Sequence, residues 1–324
     1  MKESLTTLCE NFLESRETIY KQKGFKLTNS KLMAICAYIY ASSGKTVDPD
    51  QLQDCLKLVE KNGGGIFSIF RNSLKAPLAC TLAVSNDPEG MMNITFDNFT
   101  ELKKVYRENR YLGIAALLLQ KEENDSKINR GKVIYDCLKN RHKINTNDHD
   151  TLMTNILAYS DKPVEAIMEE VEKIYTELKP MTRGEYAQTC ALILTCSDKP
   201  ADEKCARVKE LYEALQADKK NKYSNGPEIA VLSALSLFDI DFRTLTSDIL
   251  ELSKFLAEKK PYKGVLTTYG KYERMMHAAM LIMADNMTAE INVLAAAAIY
   301  LSCFYLYEIE QDAATASATM SMST

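Results

Sequence analysis

A repeat of about 40 residues is the feature of this sequence that most restricts how the chain can fold. The segments Ile156–Leu178 and Ile193–Leu215 are identical at nine of 23 aligned positions and share the turn Ser-Asp-Lys-Pro. A third copy follows, in which Asp239 takes the place of Asp198. A fixed period of this length is typical of proteins in which one supersecondary unit stacks on the next. The chain is therefore predicted to be an array of stacked units.

Each repeat has the pattern of a helical hairpin. A first segment is rich in small apolar residues, an acidic turn follows, often with Pro, and the second segment is charged and amphipathic. Pro needs no amide partner in a first helical turn, and Asp ahead of it can cap the helix. The apolar positions of the second segment keep the spacing of one helix face. These positions are Val171, Ile174 and Leu178; Val208, Leu211 and Leu215; and Ile249, Leu252 and Leu256.

The same pattern extends in both directions and predicts about seven units. Their turns are marked by Asp48, Asp87, Asp125, Asp161, Asp198, Asp239 and Asp285. The segment Lys2–Lys23 has apolar residues at helical spacing and is expected to cap the first unit. Because a hairpin alone cannot bury both of its faces, neighbouring units must stack. We expect an all-α fold of about seven stacked helical hairpins, either an α-solenoid or a closed α/α superhelix.

The spacing of the repeats leaves no room for a long linker. The chain has only 12 Gly and 8 Pro among 324 residues, as expected when short turns separate the helices. We predict one helical-repeat domain over residues 1–310, with a bend near residue 145. The segment 311–324, which is small and polar, is predicted to be a disordered tail.

Charge and cysteine usage limit the function classes. A net charge of −4 offers no global attraction to nucleic acid, whose binding depends on neutralising phosphates. The nine cysteines include no Cys-x-x-Cys spacing, and none of the three histidines pairs with a cysteine at metal-ligand spacing. No metal or cofactor is therefore expected. The amino-terminal segment lacks an apolar core of a secretory signal, so a cytoplasmic location is predicted.

One apolar segment approaches the length of a membrane span. Ile291–Ile309 contains little charge, but it includes Asn292, Ser302 and Glu308 and has no basic flank. A buried terminal helix is the favoured interpretation, and a membrane anchor is the alternative.

The candidate chemistry is sparse. His142 and His149 fall in a polar loop expected to be exposed, and His277 falls in an apolar segment expected to be core. No nucleophile–base arrangement or phosphate-binding motif is present, so no catalytic residue is predicted and a non-enzymatic role is favoured. The glycines of residues 63–65 are interpreted as a helix stop, with a phosphate cradle as the alternative. Arg71 and Lys75 are the cations such a cradle would use, and they are the candidate anion or ligand contacts.

Two segments resemble a known family. Gly65–Ala83, which includes Ser68, Arg71 and Pro77, and Tyr111–Leu119 resemble an uncharacterised helical family found mainly in Firmicutes and filed as a domain of unknown function. The resemblance covers most of the chain. It implies an all-helical, cytoplasmic bacterial protein, and it implies no activity.

Three functions remain compatible with these observations. The first is a non-catalytic scaffold that binds a protein or peptide in the concave groove of the stacked hairpins. The second is an enzyme on a closed helical toroid with an acidic central pocket. The third is a membrane-tethered adaptor anchored by Ile291–Ile309.

Overall fold

The computed structural model describes residues 1–65, 68–119, 124–218, 222–264, 267–287 and 289–322. These residues form fifteen α-helices and one 3₁₀ turn, Ile69–Arg71, and no strand. The helices are α1 (Glu3–Lys21), α2 (Ser30–Ser43), α3 (Pro49–Asn62), α4 (Lys75–Val84), α5 (Pro88–Val105), α6 (Arg110–Leu118), α7 (Asn124–Arg141), α8 (Asp150–Leu157), α9 (Val164–Leu178), α10 (Gly184–Thr195), α11 (Ala201–Ala217), α12 (Ile229–Ser236), α13 (Phe242–Ala257), α14 (Lys271–Asp285) and α15 (Ala289–Met322). The all-α fold predicted from the sequence is confirmed.

The first fourteen helices pair as seven hairpins. Each odd-numbered helix packs against the even-numbered helix that follows it, from α1 on α2 to α13 on α14. The even-numbered helices are the small apolar ones, and the odd-numbered helices bury one face and expose charged residues. The sequence pattern grouped each apolar helix with the charged helix after the acidic turn. The more extensive contacts instead lie across the other connection, so the hairpins are offset by one helix from the predicted units.

The seven hairpins close into a ring. The even-numbered helices line its inner side, where α6, α8, α10, α12 and α14 pack on one another in order and α14 returns to α2. The helix α2 also packs on α4, and the 3₁₀ turn Ile69–Arg71 contacts both α4 and α6. The helix α1 contacts α14, and two ion pairs join the start of α1 to α13: the Met1 amino group with Glu251 at 2.6 Å, and Lys2 with Asp248 at 3.2 Å. The predicted capping helix is therefore the outer helix that joins the first hairpin to the last.

The helix α15 fills the centre of this ring. It contacts α2, α6, α8, α12 and α14, all of which are inner helices. Residues 297–305 of α15 are all buried, and Ala298, Leu301 and Phe304 have no exposed surface. A helix that is apolar on every face is expected in the interior of a protein. A seventh unit with its turn at Asp285 would have this segment as its second helix, whereas the segment lies inside the ring that the hairpins form.

The central position of α15 accounts for its apolar composition. Within the described chain, the helical span Asn292–Ala318 is long and apolar enough to cross a membrane, with a hydropathy of 1.4, and 61% of its apolar window is buried inside the protein. Beyond this window the helix continues to Met322, where the sequence predicts a disordered tail. Alanine has the highest helix propensity, and the Ala-rich segment extends a helix that is already nucleated. Its described side chains, from Gln311 to Ala318, are exposed.

The acidic turns have two kinds of structure. The side chains of Asp48 and Asp87 accept backbone amide hydrogens at the starts of α3 and α5, as predicted. Asp198 and Asp239 do not cap a helix and instead form exposed ion pairs with Lys162 and Lys199. The sequence interpretation of a uniform capping row is therefore wrong for these repeats, because Pro200 or Asp241 occupies the N-cap position there. Of the other marker positions, Asp161 precedes the Pro163 N-cap, Asp125 lies within α7, and Asp285 is the last residue of α14.

Basic side chains hold the carboxyl ends of several inner helices. Arg207 of α11 donates hydrogen bonds to the carbonyls of Ser236 and Phe238, at the end of α12. Arg130 of α7 reaches the carbonyl of Ser160 beyond α8, and Lys162 reaches the carbonyl of Thr195 at the end of α10. Cations at the carboxyl end of a helix satisfy its unpaired carbonyls and complement its dipole.

The tight fit of α15 gives a first prediction. Replacing Ala298 with Leu adds a branched side chain at a position without free space, so the free energy of unfolding should fall by about 1–3 kcal/mol. The same change at Ala314, on the exposed end of α15, should alter it by less than about 0.5 kcal/mol. Urea denaturation followed by circular dichroism measures both. Equal effects of the two substitutions would contradict the central placement of α15.

Candidate ligand-binding site

Two adjoining clefts lie where the inner helices α2, α4, α6 and α8 begin and where α15 leaves the ring. We call the first the basic cleft, because Arg71, Lys75 and Arg110 line it; its volume is about 770 Å³. We call the second the histidine cleft; its volume is about 580 Å³, and its lining includes Arg110, Tyr111, His149 and Glu308. Both clefts include Ser73 and Arg110, so they form one continuous surface.

The two predicted contact residues lie together in the basic cleft. Arg71 is the last residue of the 3₁₀ turn, and Lys75 is the first residue of α4. The Arg71 guanidinium contacts the Gly64 carbonyl at 3.4 Å, and no carboxylate in the described chain pairs with it. The Lys75 ammonium lies 2.5 Å from Glu60.

The glycines before this turn end a helix, as the favoured interpretation predicted. The amide of Gly63 donates to the Val59 carbonyl after the last residue of α3, and Gly64 has a φ of +79°, in the left-handed region that favours glycine. Residues 66 and 67, which follow these glycines, lie outside the described residues. The next described α-helix begins at Lys75.

Arg110 is a cleft residue that the sequence prediction lacked. It is the first residue of α6, and the Asn109 side chain caps this helix by accepting from the Leu112 amide. The start of α6 packs closely on the segment before α4, since a Cβ on Gly113 would lie 2.5 Å from a Leu74 side-chain carbon, and Arg110 lines the same cleft as Arg71. Its signal in the sequence is an Asn-Arg pair directly before an apolar run.

The Arg110 guanidinium faces α15 at the point where the buried stretch of this helix ends. It lies 3.5 Å from the Glu308 carboxylate, and it stacks over the rings of Phe304 and Tyr307 at 5.9 and 5.6 Å. Such cation–π contacts fix the position of the guanidinium without using its hydrogen-bond donors.

His149 is the second residue whose role could not be seen in the sequence. Its Nε2 lies 2.7 Å from a carboxylate oxygen of Glu308, its Nδ1 contacts the amide oxygen of Asn147, and its ring stacks on Tyr305 at 3.8 Å. The expectation of exposure is wrong for this residue, since the side chain of His149 is only 15% exposed. His142 in the same loop is also covered, and it pairs with Glu172 at 2.7 Å. Both ring nitrogens of His149 are engaged, which leaves neither of them to take a proton from a substrate.

The surroundings of Glu308 stabilise its negative charge. Burial would raise the pKa of this carboxyl, but the hydrogen bond and charge of His149 and the charge of Arg110 lower it below its usual range. The hydroxyl of Tyr111 lies near the same carboxylate and contributes to this lowering, although it makes no hydrogen bond of good geometry with any described residue. The cluster is therefore a site that favours an anion.

Buried Asp150 lies directly behind His149 and has the opposite character. It is the first residue of α8, accepts from the Asn147 amide at 3.0 Å, and is also bonded by Gln188. Burial raises its pKa from 3.8 to about 6, against the lowering effect of these hydrogen bonds. His277, by comparison, is buried and lines neither cleft, and a Tyr262 hydroxyl lies 2.6 Å from its Nδ1, as expected for a core histidine.

The raised pKa of Asp150 predicts a pH-dependent stability. The folded state holds this proton more tightly than the unfolded state, so the stability contributed by Asp150 is present below pH 3.8 and is lost as the pH rises through 6. Replacing Asp150 with Asn removes this pH-dependent loss of stability. Between pH 4 and pH 7, the free energy of unfolding of the variant relative to that of the natural protein should therefore rise by about 3 kcal/mol.

Urea denaturation at several pH values measures this difference. Asp148, which is exposed in the same loop, provides the control, and its replacement by Asn should give no such pH dependence. A constant difference between Asp150→Asn and the natural protein across this pH range would show that the carboxyl ionises normally.

The described part of the chain offers anion recognition more readily than catalysis. It contains no group of three or more His, Cys, Asp or Glu side chains that could hold a metal ion. The centre of the ring, where the toroidal-enzyme hypothesis placed an acidic pocket, is filled by the buried stretch of α15.

Comparison with known proteins identifies a family and adds no activity. No curated protein and no solved structure matches the chain. Residues 17–307 match the model of the family described as protein of unknown function (DUF4003), which covers most of the chain and includes both segments of the resemblance. The chain therefore belongs to the DUF4003 family.

Proposed function

We propose that the protein is a non-catalytic binding module that holds an acidic segment of a partner protein in the basic cleft. The observation that carries this proposal is the convergence of Arg71, Lys75 and Arg110 from three separate elements on one cleft. Basic groups that face one cleft concentrate a positive field there and attract anionic ligands. The wall of the cleft is also apolar, with Leu27, which is 98% exposed, and Leu32.

The part of α15 that follows its buried stretch supports an acidic partner. Glu308 pairs with Arg110, Glu310 accepts a hydrogen bond from the Asn29 amide group at 3.0 Å, and Tyr307 lines the basic cleft. The protein thus already holds one helical segment that combines acidic and aromatic side chains. A partner helix with acidic residues next to apolar ones would meet the same donors and the exposed Leu27.

Two features favour binding over catalysis. The only histidine that lines the two clefts has both ring nitrogens engaged, and the ring has α15 where a central reaction chamber would be. The buried stretch of α15 also favours a helix used inside the protein over a membrane anchor. With the cytoplasmic location that the family resemblance implies, the partner would be an intracellular protein.

Binding of a labelled amphipathic helical peptide that carries glutamates tests this function. The matched probe has glutamine in place of each glutamate. Fluorescence anisotropy should show binding of the glutamate peptide, and Arg71→Ala should weaken it by about 5-fold, the usual effect of one exposed charge pair. Arg71 suits this test because no carboxylate of the described chain depends on it.

A second substitution controls for a general loss of positive charge. Arg243 is exposed on the outer helix α13, and Arg243→Ala should leave the affinity unchanged. Equal binding of the two peptides, or equal effects of the two substitutions, would contradict the assignment of the basic cleft.

A further inference from the structure

We propose that the Glu308 carboxylate is a built-in occupant of an anion subsite formed by Arg110, Tyr111 and His149, and that the partner's acidic side chain binds there by displacing it. This inference rests on the proposed function and identifies where in the two clefts the partner's carboxylate is recognised. The exchange replaces one carboxylate by another, so it leaves the net charge of the subsite unchanged.

The donors of this subsite exceed what Glu308 uses. The guanidinium of Arg110 can donate five hydrogen bonds, yet its buried Nη1 lies 3.5 Å from Glu308 and makes no hydrogen bond with any residue that the structure describes. A guanidinium and a carboxylate in optimal contact instead form two parallel bonds at shorter distance. The pair is therefore an incomplete one, which a ligand carboxylate aligned with the fork could improve.

Tyr111 is a second donor of the subsite that Glu308 engages incompletely. It is 2% exposed and lines the histidine cleft, and its hydroxyl makes no hydrogen bond of good geometry within the described chain. A buried hydroxyl without a well-formed hydrogen bond is unfavourable, and such groups in native proteins mark a functional site or a bound water. A carboxylate oxygen of the partner in the cleft would accept a well-formed hydrogen bond from this hydroxyl.

The subsite stays in place when Glu308 leaves. His149 is held by Asn147 and by the stacked ring of Tyr305, and Arg110 is held by the rings of Phe304 and Tyr307. Glu308 itself is 29% exposed and lies after the buried stretch of α15. Its side chain can therefore turn toward solvent while the helix remains in the ring.

The test compares Glu308→Gln with the natural chain, using the labelled glutamate peptide as the probe. The substitution removes the competing charge and keeps the size of the side chain, so the affinity should rise by about 5-fold. Asp312→Asn removes the same charge one turn farther along α15, where the side chain is exposed, and should leave the affinity unchanged. Thermal melting of each variant establishes that it is folded.

A second variant keeps the test decisive if Glu308→Gln does not fold. Glu308→Asp retains the charge but shortens the side chain by one methylene, which should weaken its contact with Arg110 and also tighten peptide binding, by a smaller factor. Unchanged affinity in the folded Glu308 variants, with weakened binding in Arg71→Ala, would overturn the displacement and leave the proposed function standing. No binding of the peptide to any chain would remove the proposed function, and this inference with it.

Discussion

The burial of α15 is the interaction on which the rest of the structure depends. The inner helices are apolar on more than one face, and their outer partners cover only one of these faces. Without α15 the other faces would surround an open centre, and a large exposed apolar surface is unfavourable in water. Small residues such as Ala295 and Ala298 let five inner helices approach the central helix closely. The closed ring and its filled centre therefore both depend on the burial of α15.

The polarity of the helices gives the two ends of the ring different chemistry. Basic side chains such as Arg130 and Arg207 take up the carbonyls where α8 and α12 end. At the opposite end, where these helices begin, α15 contributes Glu308 and Glu310. Each arrangement places the charge that complements the helix dipoles, and α15 runs from the first end to the second. The candidate site lies where this balance is incomplete, because Arg71, which pairs with no carboxylate of the described chain, shares the end that already carries the positive dipoles.

Much of this fold could be predicted from the chain, and the reasons for the remainder are physical. The turn Ser-Asp-Lys-Pro and the stripe Val171, Ile174 and Leu178 predict helices and their period, because both are local patterns. The pairing of hairpins and the closure between α1 and α14 depend on contacts between distant segments. The contact of His149 with Glu308 spans 159 residues, and no local pattern encodes it. Among the site residues, Arg71 and Lys75 could be predicted because they follow the glycines of residues 63–65. Arg110 could be assigned to the cleft only from the three-dimensional structure. The segment Ile291–Ile309 lacks a polar face, and this pattern is the sequence signal that favours a position inside the ring.

The central position of α15 has a consequence for how the chain is made. Synthesis on the ribosome proceeds from the amino end, so all seven hairpins emerge before the helix that fills them. During that interval the inner walls have no permanent cover, and exposed apolar walls are the surfaces that chaperones bind and that drive association between incomplete chains. Local hairpins can form as they emerge, because their contacts are close in sequence. Closure of the ring around α15 therefore cannot be completed until synthesis has passed residue 305.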